Sequence, residues 1–199
     1  GYTSCVSFIV NTILSVCLVG IVLLLKKSAY YGFKKVGNWK EYLYFLPLAA
    51  IVSVNLWNGF NINDSVSGIV FHILTMLNIG FIEELIFRGL LFQAMAKDGV
   101  KSAIIVSSVT FGIGHIVNLI NGSGAELLPN LLQVLYAAAV GFAFVMIYCK
   151  TKSLLPCILV HSVFNALSAF ANEADMTPQR QIVSGVLLAV IAGGYALYL

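Results

Sequence analysis

Glu83, Glu84 and Arg88 stand inside an otherwise apolar run from Leu77 to Phe92. Glu84 and Arg88 are spaced i,i+4, so on a helix they face each other as an ion pair. Glu83 points about 100° away from Glu84, which leaves one carboxylate neutralised and the other turned toward a cavity. Phe111 and His115 share a helix face by the same spacing, as do His161 and Asn165. A carboxylate, two imidazoles and an amide can activate water, bind a developing oxyanion or hold a divalent metal. The preferred reading is hydrolytic and metal-free: Glu83 with His115 activates water, His161 and Asn165 stabilise the oxyanion, and Glu84–Arg88 supports them. Glu83, His115 and His161 also imitate a zinc donor set, the alternative if a metal is bound. The zincin signature HExxH is absent, however, and Asn is a poor zinc ligand.

These charges constrain the elements that carry them. Each ionised side chain at mid-membrane costs about 2.5–3.5 kcal/mol, taking Glu to behave like Asp. Three cost roughly 8–10 kcal/mol, against a return of roughly 3–6 from about ten apolar neighbours. Such a helix needs partners on other helices or a wet cavity, and buried ionisable groups of this kind are functional candidates. The chain is a membrane protein by composition: 199 residues, 60% hydrophobic and only 10% charged, with a mean hydropathy of +0.96. Soluble domains carry about 25% charged residues. The lysines fall in a few short loops, a membrane pattern and not a nucleic-acid stripe. Cys5, Cys17, Cys149 and Cys157 form no CxxC pair, which argues against disulfides and a thiolate metal site.

A span needs about 20 mostly apolar residues. Such segments lie at Ser4–Leu25, Tyr42–Phe60, Val66–Ala96, Ser102–Ile120, Leu127–Tyr148, Ser153–Phe170 and Ile182–Tyr198. They predict an all-α polytopic helical bundle of about seven spans in the cell membrane, a single membrane domain over residues 1–199. Basic loops (Lys26–Glu41, Lys97–Lys101, Lys150–Lys152) alternate with loops poor in Lys and Arg. The positive-inside rule then puts the N-terminus outside and the C-terminus in the cytoplasm. Glu83, His115 and His161 come to similar depths in the cytoplasmic half, roughly 12–20 Å from the inner helix ends. One shared site follows. Gly80 and Gly89 bracket the charges and let other helices approach. His72 reads as hydrogen-bonded core, Phe87 and Phe111 as packing, and Tyr30, Tyr31, Trp39 and Trp57 as interfacial anchors.

Glu83-Glu84-x-x-x-Arg88, Phe111-x-x-x-His115 and His161-x-x-x-Asn165 resemble, in order, the three motifs of the CAAX-protease and bacteriocin-processing (CPBP) family. This family, also called Abi, includes the Ras-converting CAAX endopeptidases. The resemblance covers about residues 66–171, a catalytic core, and every motif position is filled. It implies an intramembrane endopeptidase whose site opens toward the cytoplasm, with Glu83 as the catalytic glutamate and a membrane-associated peptide or protein as substrate. The family has been described both as metallopeptidase and as glutamate-type peptidase, and zinc stays open on that account. Two other classes fit the same residues: a non-catalytic immunity or regulatory protein acting on a membrane partner, and a proton-coupled transporter. The transporter would show inverted repeats and paired discontinuous helices, and the sequence has neither.

Overall fold

The computed structural model describes residues 2–37, 46–62, 64–121, 124, 126–172 and 174–199. The interfacial Trp39, Lys40 and the start of the Tyr42–Phe60 segment fall outside these residues. Helix formation follows from the apolar sequence, because a chain in lipid must satisfy its backbone groups within each segment. The helices are α1 (Tyr2–Leu24), α2 (Leu46–Ser53), α3 (Val66–Ala96), α4 (Val100–Gly114), α5 (Leu127–Thr151), α6 (Leu155–Leu167) and α7 (Pro178–Tyr198). Short 3₁₀ turns extend α2 to Leu56, α4 to Leu119 and α6 to Phe170. Five helices are long and apolar enough to cross a membrane: α1, α3, α4 with its 3₁₀ turn, α5 and α7. Among the described residues, the two remaining predicted spans hold shorter apolar helices, Leu46–Leu56 and Leu155–Phe170. The second of these begins only after Lys152, whose left-handed backbone (φ 53°) terminates α5.

Local sequence sets the boundaries. Ser65 caps α3 by accepting from the Gly68 N–H, and Thr177 caps α7 by accepting from Arg180, with Pro178 in the first turn. Along α3 the hydrogen bonding changes to π over Leu85–Phe92, directly after Glu84 and through Arg88. Such segments are concentrated at functional sites. The Phe87 carbonyl within it accepts from Ser107 Oγ of α4 at 2.9 Å.

The most buried helix is α5, which packs on α4 and α7, while α3 lies against α1 and α6. Phe144, Val145, Ile147 and Tyr148 of α5 are fully enclosed. By contrast α1 leaves Val10, Ile13, Val16 and Leu23 outward-facing, an apolar surface suited to lipid. All four cysteines are free.

The basic loops gather at one end of the bundle. Lys97 Nζ lies over the Tyr30 ring at 5.9 Å, Gln93 Nε2 donates to the Tyr30 carbonyl at 2.9 Å, and Ser153 donates to the Lys34 carbonyl. The opposite end is tied by the Phe60–Ala171 bridge and the stacked Phe60 and Phe170 rings. The positive-inside rule assigns the lysine-rich end to the cytoplasm.

Gly80 sets the distance between α3 and α6. A Cβ there would lie 2.6 Å from Ser162 Oγ and 2.7 Å from Ser162 N, and Ser162 Oγ donates to the Leu77 carbonyl at 3.1 Å. Gly89 admits the Tyr31 carbonyl and the Leu154 side chain in the same way. Gly80→Val is expected to destabilise the bundle by about 1–3 kcal/mol through overpacking. It should also slow turnover, because α6 is pushed from α3 where the two helices share the site. Thermal unfolding in detergent and an activity assay together check this.

Candidate active site

Glu84 and Arg88 are completely buried and joined as the i,i+4 spacing requires, with Arg88 Nη1 3.0 Å from Glu84 Oε1. Arg88 Nη2 donates to the Gly141 carbonyl of α5 at 3.0 Å, and the guanidinium lies 4.4 Å from the Phe111 ring centre. The charge is thereby held among a carboxylate, a carbonyl and an aromatic face, the conditions under which a buried arginine is tolerated. Among the described residues, Arg88 Nε and Glu84 Oε2 have no hydrogen-bond partner.

His161 connects this pair to Glu83. Its Nδ1 is 2.8 Å from Glu84 Oε1, and its Nε2 is 3.3 Å from Glu83 Oε2. Glu84 already accepts from Arg88 and, as a carboxylate, can only accept, so Nδ1 carries a proton. Nε2 faces the Glu83 carboxyl directly, so a proton can pass between the two groups. The four side chains thus form a line, Arg88–Glu84–His161–Glu83, running from the core to a carboxyl group that is 30% exposed. Glu84 therefore does more than neutralise Arg88: it orients the imidazole. That contact joins residues 77 positions apart and has no signal in local spacing.

His115 stands at the junction where α4 gives way to its 3₁₀ turn. Its Nδ1 faces the Phe111 carbonyl at 3.1 Å. A carbonyl accepts, so Nδ1 donates, and in the neutral ring Nε2 keeps its lone pair. Phe111 meets both imidazoles edge-on, at ring-centre distances of 5.4 Å to His115 and 5.6 Å to His161. It is the partition around which the site is built, a larger role than simple packing.

Two cavities meet at Phe111 and His115. One, of about 260 Å³, is lined by Glu83, Phe87, Gly114, His115 and Asn118. The other, of about 70 Å³, is lined by His115, His161, Asn165, Gln133 and an apolar wall that includes Phe144 and Phe164. Glu83 and Asn165 are thus on different sides of Phe111, and both histidines link them. The larger cavity lies between α3 and α4. These helices pack together through Leu85–Ala96 of α3, beside their short connection, whereas Val66–Glu84 turns away to α1 and α6.

The cavity sides also include α5, whose Asn130 and Gln133 look in the sequence like isolated polar residues of an apolar span. Asn130 Nδ2 donates to the His115 carbonyl at 2.8 Å. Their i,i+3 spacing is the signal that could have marked them as one face. His72, read as hydrogen-bonded core, pairs with Ser168 Oγ at 2.9 Å, and Ser168 donates to the Asn165 carbonyl.

Among the described residues, no group of three or more His, Cys, Asp and Glu side chains is arranged to hold a metal ion. Within the zinc-type set, carboxylates lie against both ring nitrogens of His161.

Comparison with known proteins places this sequence in a family. The family model described as "Type II CAAX prenyl endopeptidase Rce1-like" matches residues 65–167. A curated relative, "Putative membrane peptidase YdiL" of Bacillus subtilis (strain 168), is 28% identical over 116 residues, 54% of this chain and 42% of that protein. The chain therefore spans less than half the length of that relative. No solved structure gives a significant match. The matched stretch makes up about half of the chain and contains Glu83, Glu84, Arg88, His115, His161 and Asn165, and on that basis this multi-pass membrane protein belongs to the type II CAAX prenyl endopeptidase Rce1-like family.

Proposed function

We propose that the protein is an intramembrane endopeptidase that hydrolyses a peptide bond of a membrane-associated peptide or protein in the cytoplasmic half of the bilayer. The observation that carries this reading is the line Arg88–Glu84–His161–Glu83, ending in a cavity that His115 lines from another helix. The water occupies the larger cavity, where Glu83 takes its proton and the unprotonated Nε2 of His115 orients it. Attack on the carbonyl carbon creates an oxyanion, for which His161 supplies a donor at Nε2 and Asn165 its side-chain amide. Glu84 holds the charge that His161 gains, as a buried carboxylate behind an imidazole does in other hydrolases. Proton return from Glu83 or His161 to the departing amine completes the cycle. The substrate reaches the site from the lipid through the gap between α3 and α4, which pack together toward the lysine-rich end.

No step here is routed through a metal. Elemental analysis of purified, active protein is expected to find less than stoichiometric zinc, with activity retained in chelator. Stoichiometric zinc, with activity lost to chelator and restored by the metal, overturns the metal-free chemistry. The activity itself is tested by comparing peptide termini in membranes from cells carrying wild-type protein and Glu83→Ala. New termini that depend on Glu83 identify the substrate and the bond cut. Identical profiles would instead favour a membrane partner without catalysis.

A further inference from the structure

We propose that Gln133 of α5 is a further substrate-binding residue, its side-chain amide donating to a backbone carbonyl of the bound peptide; this rests on the peptidase reading. Gln133 lines the smaller cavity together with His161 and Asn165. Which end of its amide faces the cavity is decided by its neighbours. Asn130 is 1% exposed and donates Nδ2 to the His115 carbonyl at 2.8 Å. A carbonyl only accepts, so the atom of Asn130 that faces Gln133 at 3.5 Å is that same NH₂ group. The Gln133 atom meeting it is then the acceptor, Oε1. Asn118 Nδ2 donates to the same oxygen at 3.1 Å, while its own Oδ1 accepts from Asn121 at 3.2 Å.

Two donors on Oε1 leave Nε2 as the outward end of Gln133, and it has no hydrogen-bond partner among the described residues. A second observation concerns the cluster that orients it. Asn130 Oδ1 is buried without a partner among the described residues, and an unpaired buried amide oxygen lowers stability. The arrangement that carries this cost is the one that fixes both the Gln133 amide and the His115 carbonyl. A donor held beside His161 and Asn165, within largely apolar walls, suits a ligand that supplies an acceptor. An extended peptide presents such a carbonyl at every residue.

The test uses the intact chain in proteoliposomes and internally quenched peptides carrying a C-terminal prenyl or acyl anchor, the best-cleaved one serving as probe. Gln133→Glu keeps an oxygen for Asn118 and Asn130 and replaces only the donor end, whereas Gln133→Met removes both. Both variants are expected to raise KM about 3- to 10-fold, as loss of one substrate hydrogen bond does, with a smaller change in kcat. The melting temperature of Gln133→Glu should stay near wild type, which separates this role from a structural one. An unchanged KM in folded Gln133→Glu overturns the proposal, as does a fall in kcat alone. Failure of the wild-type protein to cleave any of the peptides instead defeats the peptidase reading, and the proposal with it.

Discussion

Glu83→Gln lowers the rate of peptide cleavage by about 10²- to 10⁴-fold, the range expected for loss of a general base, while the protein stays folded. The geometry separates these two outcomes. Glu83 ends the polar line, is 30% exposed, and meets His161 through one oxygen at 3.3 Å. Glutamine is isosteric and can still bond His161, so the expected change in stability is below about 1 kcal/mol. What it cannot do is take a proton from water in the cavity it shares with His115. Single-turnover cleavage of an anchored peptide in proteoliposomes measures the first effect, and thermal unfolding in detergent the second. A folded variant that cleaves as fast as wild type removes Glu83 from the role of base.

The largest loss of stability is expected from Arg88→Met. Both members of the Glu84–Arg88 pair are wholly buried, so removing the guanidinium strands a carboxylate whose remaining partner is His161. Breaking a buried pair on one side costs about 3–5 kcal/mol, against a total stability of roughly 5–15 kcal/mol for a folded domain. The single variant should accumulate poorly and unfold at a markedly lower temperature. The double variant Glu84→Gln/Arg88→Met should recover much of that stability, because no charge is then left buried. Its activity should not recover, since His161 loses the carboxylate at Nδ1. Recovery of full activity in the double variant would show that Glu84 serves only to neutralise Arg88, and the relay from Glu84 through His161 to Glu83 would fall.

These predictions use interactions of different legibility. The Glu84–Arg88 contact is a local one, set by 3.6 residues per turn, and was readable from spacing alone. Helix positions were similarly legible, because the demand for internally satisfied backbone turns apolar runs into helices. Val66–Ala96 has the predicted bounds. The two shorter apolar helices, Leu46–Leu56 and Leu155–Phe170, fall inside the predicted segments Tyr42–Phe60 and Ser153–Phe170. The π segment after Glu84 carries no Gly or Pro mark at its start and was not foreseen. Asn130 and Gln133 carry little signal in the sequence, because an isolated polar residue in a span more often joins helices than lines a site.

Composition and the spacing of charges determined by themselves that this is an α-helical membrane protein, that its lysine-rich loops share one side, and that Glu83, His115 and His161 lie at similar depths. Tertiary structure alone decided which groups touch. The close approach of Gly80 to Ser162 brings α6 near enough for one imidazole to meet two carboxylates from α3, and the divergence of α4 from α3 leaves a cavity beside them. The physical reason is one of range. Helix periodicity assigns each side chain a direction and a height, whereas the few ångströms that make a hydrogen bond depend on how tightly separate helices pack.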